Sequence, residues 1–399
     1  MPSTAPWSDV HPTLLPKAGD KGGTPRLKLA SKEVATWGAH CLTIYLGHFL
    51  FLSIWRSQKE VDVIATTIPP GASPSIFTQR GVTGRDLISI QDFRPDELAC
   101  ALELAGAMKL RPADYRGTLV GKQIVLFFEK PSLRTRLTFE AGINALGGTS
   151  FFVDQTQSRL GARESLSDVA HNLERWVDGL VLRTFAHETV TDMARHASIP
   201  VINALSELEH PCQAMADMQT LQEHFGDLHN VRLAYVGDGN NVAHSLMLAT
   251  ASLGASISVG TPAGYEPNAD VLWAAEKLAA TTGAKVKVTN DPVEAVAGAD
   301  AVYSDVWASM GQEEEAGERK KIFMPFQVNN KLFARAAKHA VFMHCLPAHR
   351  GEEVTASVID SPRSVVFDQA ENRLHIQKAI MVLLLEGGVH RFPPRSAHG

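Results

Sequence analysis

Short apolar runs alternate with helical patterns along most of this chain, and this alternation limits the fold more than any other feature. The run Q-I-V-L-F-F at 123–128 is typical of a strand that is buried on both faces of a parallel sheet. Similar runs lie at 149–154, 179–183, 199–203, 231–236, 256–259, 285–288, 301–304 and 340–344, with helical patterns between them. Repeated strand, helix and strand predicts an α/β fold of two doubly wound parallel-sheet domains, with a boundary near 220–230.

Composition supports a folded protein with small-molecule ligands. The 399 residues exceed what one ordinary core accommodates, and 45% hydrophobic with 20% charged residues is typical of globular chains. A net charge of −5 gives no basic excess for nucleic acid, so any attraction for an anionic substrate must be local. Four widely separated cysteines form neither a disulfide framework nor a metal-type pair, which favours the reducing cytoplasm.

The first 82 residues stand apart from this pattern, and we expect them to form a poorly structured extension. Residues 1–35 are rich in Pro, Gly, Ser, Thr and Lys, while 41–55 form an apolar run that Gly47 and His48 interrupt. That run is shorter than the roughly 20 residues that cross a bilayer. A poorly structured extension, an amphipathic docking segment and a targeting or membrane element all stay open here, and we expect no membrane partner.

Polar motifs begin where several predicted strands end, which is where open α/β sheets bind ligands. The first is E-K-P-S-L-R-T-R at 129–136, between a strand and a helix. Ser132, Arg134 and Thr135 would lie at the helix N-terminus, whose free N–H groups and dipole favour an anion. The alternative is an ordinary N-cap followed by two solvated arginines.

Two further motifs follow in the first half of the chain. Arg183, in V-L-R-T-F, either reaches a phosphate or caps a helix. In H-P-C-Q at 210–213, His210 and the Gln213 amide together supply two donors that could polarise a carbonyl oxygen. The alternative is a structural histidine.

The second half carries motifs suited to an amino-acid ligand. G-D-G-N-N at 237–241 lacks the third glycine of a dinucleotide fingerprint, so we reject a nicotinamide site and assign the Asn241 amide to a polar substrate. In D-V-W-A-S-M-G at 305–311, Asp305 could accept hydrogen bonds from an ammonium group. Ser309 and Met310 could present backbone groups to an amino acid.

Two motifs remain near the C-terminus. Cys345, in H-C-L-P-A-H-R-G at 344–351, is either a buried inert cysteine or a functional thiol or thiolate. Arg373, in A-E-N-R-L-H at 370–375, stands just before the last predicted helix, at about 376–388.

Together and in this order, the motifs resemble the aspartate/ornithine carbamoyltransferase family over about residues 84–390. S-x-R-T-R and H-P-x-Q are shared by both branches of that family, whereas D-V-W-A-S-M-G and H-C-L-P-A-H-R-G are hallmarks of the ornithine branch. The resemblance implies transfer of a carbamoyl group from carbamoyl phosphate to the δ-amine of L-ornithine, giving citrulline and phosphate, in arginine metabolism, where we expect a biosynthetic role. It implies neither a cofactor nor a metal.

The resemblance also implies roles for individual residues. His210, Arg134 and Cys345 would be catalytic. The residues implied to bind carbamoyl phosphate are Ser132, Leu133, Arg134, Thr135, Arg183, His210, Pro211, Cys212, Gln213, Cys345, Leu346 and Arg373. Those implied to bind ornithine are Asn241, Asp305, Ser309 and Met310.

At the level of domains, the resemblance implies a carbamoyl-phosphate domain at 83–222 and an ornithine domain at 223–375. A C-terminal helix at 376–395 would return to the first domain. The family usually forms trimers with active sites between subunits, so we expect a homotrimer or a multiple of trimers.

Two positions depart from the family pattern. Leu133 stands where the family usually has Thr, which keeps the backbone N–H and removes one hydroxyl contact of about 1 kcal/mol. Arg159 stands where Gln is common. These departures are the features that favour a rival reading, a non-catalytic paralogue. Transfer to an acylated ornithine or to another amine is a further alternative, and the sequence does not separate biosynthetic from catabolic use.

Overall fold

In a computed structural model of the chain, the described residues are 42–45, 50–56, 61–67, 82–155, 160–308 and 313–386. Internal contacts divide the chain into one unit up to Ser75 and another from Ile76 onward. Among the described residues, no helix combines the length and apolar character that crossing a membrane requires.

The N-terminal unit contains an antiparallel sheet of three strands in the order β1-β2-β3. The strands are β1 (Leu42–Tyr45), β2 (Leu50–Arg56) and β3 (Val61–Thr67). These segments therefore differ from the poorly structured extension that we expected over residues 1–82. The physical reason is their content of Leu, Ile, Val, Thr and aromatic residues, which favour a pleated strand.

The first α/β half contains a four-stranded parallel sheet in the order β5-β4-β6-β7. Its strands are β4 (Gln123–Phe128), β5 (Thr149–Asp154), β6 (Gly179–Arg183) and β7 (Val201–Leu205). Its helices are α1 (Pro95–Leu110), α2 (Leu133–Ala145), α3 (Leu166–Leu173), α4 (His187–His196) and α5 (Pro211–Phe225). Short 3₁₀ turns lie at Ile90–Asp92 and Pro112–Tyr115.

The second half contains a five-stranded parallel sheet in the order β10-β9-β8-β11-β12. Its strands are β8 (Arg232–Val236), β9 (Ser256–Gly260), β10 (Val286–Thr289), β11 (Ala301–Ser304) and β12 (Val341–His344). Its helices are α6 (Asn241–Ser252), α7 (Ala269–Thr282), α8 (Pro292–Val296), α9 (Ala316–Phe323), α10 (Asn330–Phe333) and α11 (Ala356–Ile359). Further 3₁₀ turns lie at Leu228–Asn230, Glu313–Glu315 and Met324–Phe326.

Each of the two parallel sheets has a point where the strand order reverses. In the first sheet, the chain leaves β4 toward β5 on one side and returns to β6 on the other. In the second sheet, the same reversal separates β8 from β11. Open α/β sheets bind ligands in the crevice at such switch points, so the topology directs attention to the ends of these four strands.

The last helix, α12 (Val366–Glu386), packs against α1, α2 and α5 of the first half. The predicted fold class is therefore confirmed, including the return of the C-terminal helix. The helix begins ten residues earlier than the predicted 376, however, so Arg373 lies inside it rather than before it. Its first turns bury polar side chains such as Gln369 and Asn372, so they show no apolar stripe that would reveal a helix.

Candidate active site

A cavity of about 510 Å³ lies where the two α/β halves meet, at the carboxyl ends of their strands. Loops that follow β4, β7, β8, β11 and β12 contribute to its wall, together with the end of β6 and one residue of α12. Most of the predicted site residues line this cavity, namely Ser132, Leu133, Arg134, Thr135, Arg183, His210, Gln213, Asn241, Asp305, Cys345, Leu346 and Arg373.

Two of the other predicted residues lie away from the cavity lining. Pro211 is buried at the first position of α5, and Cys212 is fully buried in the core. The Cys212 thiol lies 3.6 Å from the Asn203 carbonyl oxygen, and burial raises its pKa to about 12. The Cys212 side chain is therefore an inert core thiol and does not line the cavity. Ser309 and Met310, like the divergent Arg159, fall outside the described residues.

The N-terminus of α2 forms one end of the cavity. The Ser132 hydroxyl caps this helix by accepting a hydrogen bond from the Thr135 backbone N–H at 3.3 Å. Leu133 is 72% exposed at the first helical position, so its side chain displaces no neighbour. The helix end thus keeps backbone donors beside Arg134, as an anion site needs.

Two buried arginines face this helix end. Arg183 closes β6, where its pairing with β7 shifts register, and such bulges re-aim side chains near active sites. Arg183 is 7% exposed and Arg373 is 4% exposed. Burial, together with the neighbouring charges of Arg373 and Arg134, lowers the pKa of Arg183 to about 9. This crowding of positive charge favours binding of a dianion.

The Gln213 amide is held by partners on both sides. Its Nε2 donates to Asp217 Oδ1 at 2.8 Å, and its Oε1 accepts from Arg373 Nη1 at 2.5 Å. Arg373 Nη2 in turn donates to the Thr135 hydroxyl at 2.9 Å. Gln213 therefore turns its carbonyl oxygen, and not its NH₂ group, toward the arginine. This corrects the interpretation that Gln213 supplies a donor to a carbonyl oxygen.

His210 is a neutral imidazole in this site. Burial, together with the charges of Arg373 and Arg183, lowers the pKa of His210 well below its ordinary value. Its backbone N–H donates to Ser245 Oγ of α6 at 2.9 Å, which fixes the residue between the two halves. Its Nδ1 is buried and has no hydrogen-bond partner within the described part of the chain.

Asp305 and Cys345 come together in another part of the cavity lining. The Cys345 thiol donates to Asp305 Oδ1 at 2.9 Å, and Asp305 Oδ2 accepts from Asn240 Nδ2 at 3.0 Å. Burial and the nearby Asp305 carboxylate raise the pKa of Cys345 well above its ordinary value. Of the alternatives raised by the sequence, the structure therefore supports a thiol and not a thiolate.

The turn after β12 is held by a buried histidine. Leu346 has a left-handed backbone with φ of 59°, and the Leu346–Pro347 peptide bond is cis. His344 Nδ1 accepts a hydrogen bond from the Leu346 N–H at 2.9 Å. A left-handed non-glycine residue is a sparsely populated conformation that surrounding structure must maintain, and such residues cluster at active sites.

Asn241 also lines the cavity. Its Nδ2 donates to the Ser206 carbonyl oxygen at 2.6 Å. This bond links α6 to the loop that carries His210. The amide nitrogen that we expected to contact substrate is thus engaged with the protein.

Sequence reasoning missed several members of the site. Lys130, Val306, Ala308, Pro347 and His349 line the cavity, and all of them lie inside the recognised motifs, so motif membership was the available signal. Asn240, which caps α6 and holds Asp305, also lies in a recognised motif. Asp217 had no signal of its own, because a lone carboxylate in a helical pattern is usually solvated.

One cluster at this end has the side chains of a metal site. Asp305, His344 and Cys345 each offer one ligand atom, and these atoms lie within 4.8 Å of one another. The thiol and the Nδ1 atom already take part in the hydrogen bonds described above.

Family models match both α/β halves. Residues 85–223 match the model described as aspartate/ornithine carbamoyltransferase, carbamoyl-P binding domain. Residues 229–384 match the corresponding Asp/Orn binding domain. The join between the two models falls in the predicted boundary region.

Individual relatives agree with these models. An ornithine carbamoyltransferase of Thermococcus kodakarensis is 53% identical over 308 residues, which cover 77% of this chain and 98% of the relative. An anabolic ornithine carbamoyltransferase of Pyrococcus furiosus is 50% identical over 308 residues, with the same shares. A solved structure of ornithine carbamoyltransferase from Pyrococcus furiosus superposes with a TM-score of 0.74 at 50% identity, covering 77% of this chain and 99% of that one.

Proposed function

The chain belongs to the aspartate/ornithine carbamoyltransferase family, and from this premise we infer how its cavity transfers the carbamoyl group of carbamoyl phosphate to the δ-amine of L-ornithine. The products are L-citrulline and phosphate, and the reaction belongs to arginine biosynthesis. One observation carries the assignment of the cavity to this reaction. Its lining combines arginines and a helix N-terminus, here called the cationic end, with the Asp305 carboxylate and the Cys345 thiol, here called the carboxylate end.

The cationic end binds the phosphate group. Arg134, Arg183 and Arg373 supply charge and forked donors, and the N-terminus of α2 supplies backbone N–H groups. The same groups stabilise the charge that grows on the phosphate as its bond to the carbamoyl carbon breaks. Burial makes these contacts stronger than they would be in water.

The carbamoyl group lies between the two ends. Its oxygen gains negative charge as nitrogen attacks the carbon, and we assign Arg134, the Thr135 hydroxyl and His210, which line the cavity, as donors to it. Losing one such donor typically lowers the rate by about 10²–10³. Gln213 presents an acceptor, so we assign its carbonyl oxygen to the carbamoyl NH₂ group.

The carboxylate end receives ornithine. The δ-amine is mostly protonated at neutral pH, and it must lose a proton before its lone pair attacks. The Asp305 carboxylate accepts a hydrogen bond from the amine, and the Cys345 thiol holds that carboxylate in place. Direct attack by a positioned amine needs no covalent intermediate on Cys345. Asn241, Ser309 and Met310 stay predicted ornithine contacts on the strength of their motifs.

We further propose that 83–222 serves as the carbamoyl-phosphate domain, 223–375 as the ornithine domain, and that the enzyme is a cytoplasmic homotrimer. The ranges of the two family models support this division. Exposed apolar side chains on α2 and on the edge strand β5 suit a contact between subunits: Leu133, Leu137 and Phe151. Light scattering of the purified protein tests the trimer, and a monomeric mass would contradict it.

The reaction is tested by offering the full chain carbamoyl phosphate with L-ornithine, N-acetyl-L-ornithine, putrescine or L-aspartate in parallel. We expect carbamoylated product with L-ornithine alone. Arg183→Gln should weaken carbamoyl phosphate binding, whereas Arg195→Gln, at an exposed arginine of α4, should leave activity unchanged. A folded protein that turns over none of the amines would contradict the proposed reaction and favour a non-catalytic role.

A further inference from the structure

Asp217 lies behind the wall of the cavity, one turn along α5 from Gln213. Its side chain is fully buried and does not line the cavity. Its Oδ1 accepts two hydrogen bonds, from Gln213 Nε2 at 2.8 Å and from Gln369 Nε2 at 2.7 Å. A buried carboxylate is costly unless its partners compensate, so this arrangement calls for an explanation.

The first consequence concerns the direction of the Gln213 amide. An amide side chain fits its site equally well after a half-turn, so its neighbours decide which atom faces where. An ionised carboxylate can only accept hydrogen bonds, and it therefore binds the NH₂ group of Gln213. The carbonyl oxygen is left facing Arg373, where a reversed amide would set two donors against each other.

The second consequence concerns the opposite wall. Gln369 gives its NH₂ group to Asp217, and its Oε1 accepts from the His344 backbone N–H at 2.9 Å. His344 directly precedes Cys345. One carboxylate thus orients two amides: that of Gln213 beside Arg373, and that of Gln369, which binds the backbone of the residue before Cys345.

The charge surroundings of Asp217 are mixed. Arg373 of α12 faces it with a positive charge, while Tyr303 of β11 and Cys345 after β12 lie within electrostatic reach. Burial raises the pKa of Asp217 to about 7, although the hydrogen bonds from the two amides and the charge of Arg373 each lower it. Once protonated, the carboxyl group can donate, and it then no longer forces the Gln213 amide into one direction.

We propose that Asp217 is a positioning residue that keeps the Gln213 carbonyl oxygen turned toward Arg373 and the cavity, and thereby sets the affinity for carbamoyl phosphate. This inference rests on the proposed function of the cavity. It assigns to Asp217 no contact with substrate.

The test compares three variants of the full chain by isothermal titration calorimetry with fresh carbamoyl phosphate. Asp217→Leu removes the acceptor at nearly constant volume, and Asp217→Asn keeps one oxygen but adds an NH₂ donor, as protonation of Asp217 adds an O–H donor. Thr220→Val is the matched control, because Thr220 is equally buried on α5 and accepts from Asn372 of α12 at 3.0 Å, but it does not touch Gln213.

At pH 8 we expect Asp217→Leu to weaken binding about 10- to 100-fold, the effect of a lost hydrogen bond to a charged group. Thr220→Val should stay within about threefold of the wild type, since it leaves Asp217 and Gln213 in place. Asp217→Asn should bind more weakly than the wild type, because its NH₂ group, like the O–H of protonated Asp217, no longer forces the Gln213 amide into one direction. Between pH 8 and pH 6, the affinity of the wild type should fall toward that of Asp217→Asn, because the wild type protonates at this position and the variant does not.

Equal affinities of Asp217→Leu and Thr220→Val would overturn the inference and leave Asp217 a purely structural residue. If Asp217→Leu does not fold, a ratio of wild-type to Asp217→Asn affinity that is independent of pH overturns it equally well. Calorimetry needs no amine. Failure of the wild type to carbamoylate ornithine would therefore refute the proposed reaction while the carbamoyl phosphate affinities still test Asp217.

Discussion

Replacing Cys345 by Ala tests the amine end of the cavity most directly. The thiol donates to Asp305 Oδ1 at 2.9 Å, and the same carboxylate accepts from Asn240 Nδ2 at 3.0 Å and from the Val306 N–H at 2.8 Å. The substitution removes one of these three partners and leaves the backbone of the turn in place. Asp305 then keeps two anchors and gains freedom to rotate.

The expected magnitude follows from that single lost bond. A hydrogen bond to a charged group contributes about 1.5–3 kcal/mol. If the contribution falls on the step in which the amine attacks, kcat drops about 10- to 100-fold. The KM for carbamoyl phosphate should change by less than about threefold, because the arginines at the other end keep their contacts.

Steady-state assays of Cys345→Ala, Cys345→Ser and Cys100→Ala measure this effect. The Ser hydroxyl restores a donor to Asp305, so kcat should recover in part. Cys100 is a half-buried thiol of α1, and its removal should leave turnover unchanged. Since the pKa of Cys345 is raised well above its ordinary value, alkylation of this thiol should be slow at pH 7–8.

Three results would refute this reasoning. Full activity of Cys345→Ala would show that the thiol does not support Asp305 during turnover. A large rise in the KM for carbamoyl phosphate with unchanged kcat would place Cys345 at the phosphate end instead. Fast alkylation near neutral pH would show that the residue is a thiolate.

Two further predictions concern stability. Gly239→Ala should lower the free energy of unfolding by about 1–3 kcal/mol, because an added Cβ would lie 2.3 Å from the Pro267 backbone nitrogen. The control Gly106→Ala lies inside α1, where an added Cβ meets nothing within 4 Å, and it should raise the free energy of unfolding by up to about 1 kcal/mol. Equal melting temperatures of the two variants would contradict both expectations. Burial raises the pKa of Glu209 to about 7, so the folded state holds this proton more tightly than the unfolded state does, and the free energy of unfolding falls as pH rises through that value. In chemical denaturation, Glu209→Gln should reduce this fall by up to roughly 3 kcal/mol. An unchanged pH dependence of stability in Glu209→Gln would contradict the prediction.

Strands of the two sheets could be predicted well because parallel strands are buried on both faces. Such strands read as continuous apolar runs, and the predicted limits of 123–128, 149–154, 179–183 and 301–304 agree with the structure. The start of α12 escaped prediction for the opposite reason. It is helical and buried, but buried hydrogen-bonding side chains replace the apolar stripe that marks a helix in a sequence.

Convergence of the motifs could also be anticipated, because the carboxyl ends of parallel strands meet at one edge of a sheet. The direction of the Gln213 amide and the protonation state of Cys345 could not be anticipated from the sequence. Both depend on neighbours that are remote in sequence, Asp217 with Arg373 in one case and Asp305 in the other. A motif specifies which groups meet, whereas their donor and acceptor roles follow from the surrounding hydrogen bonds.

The arginine cluster shows why such a site is assembled from distant segments. Arg134, Arg183 and Arg373 come from a helix start, a strand end and the final helix, and the latter two are almost fully buried. Burying these charges costs free energy, because burial lowers the pKa values of both arginines, and the charges of Arg373 and Arg134 lower that of Arg183 further. A dianion bound among them offsets that cost, so substrate binding should stabilise the contact of α12 with α2 and α5 that brings the cluster together. The return of the C-terminal helix is thus part of the proposed phosphate site as well as of the fold.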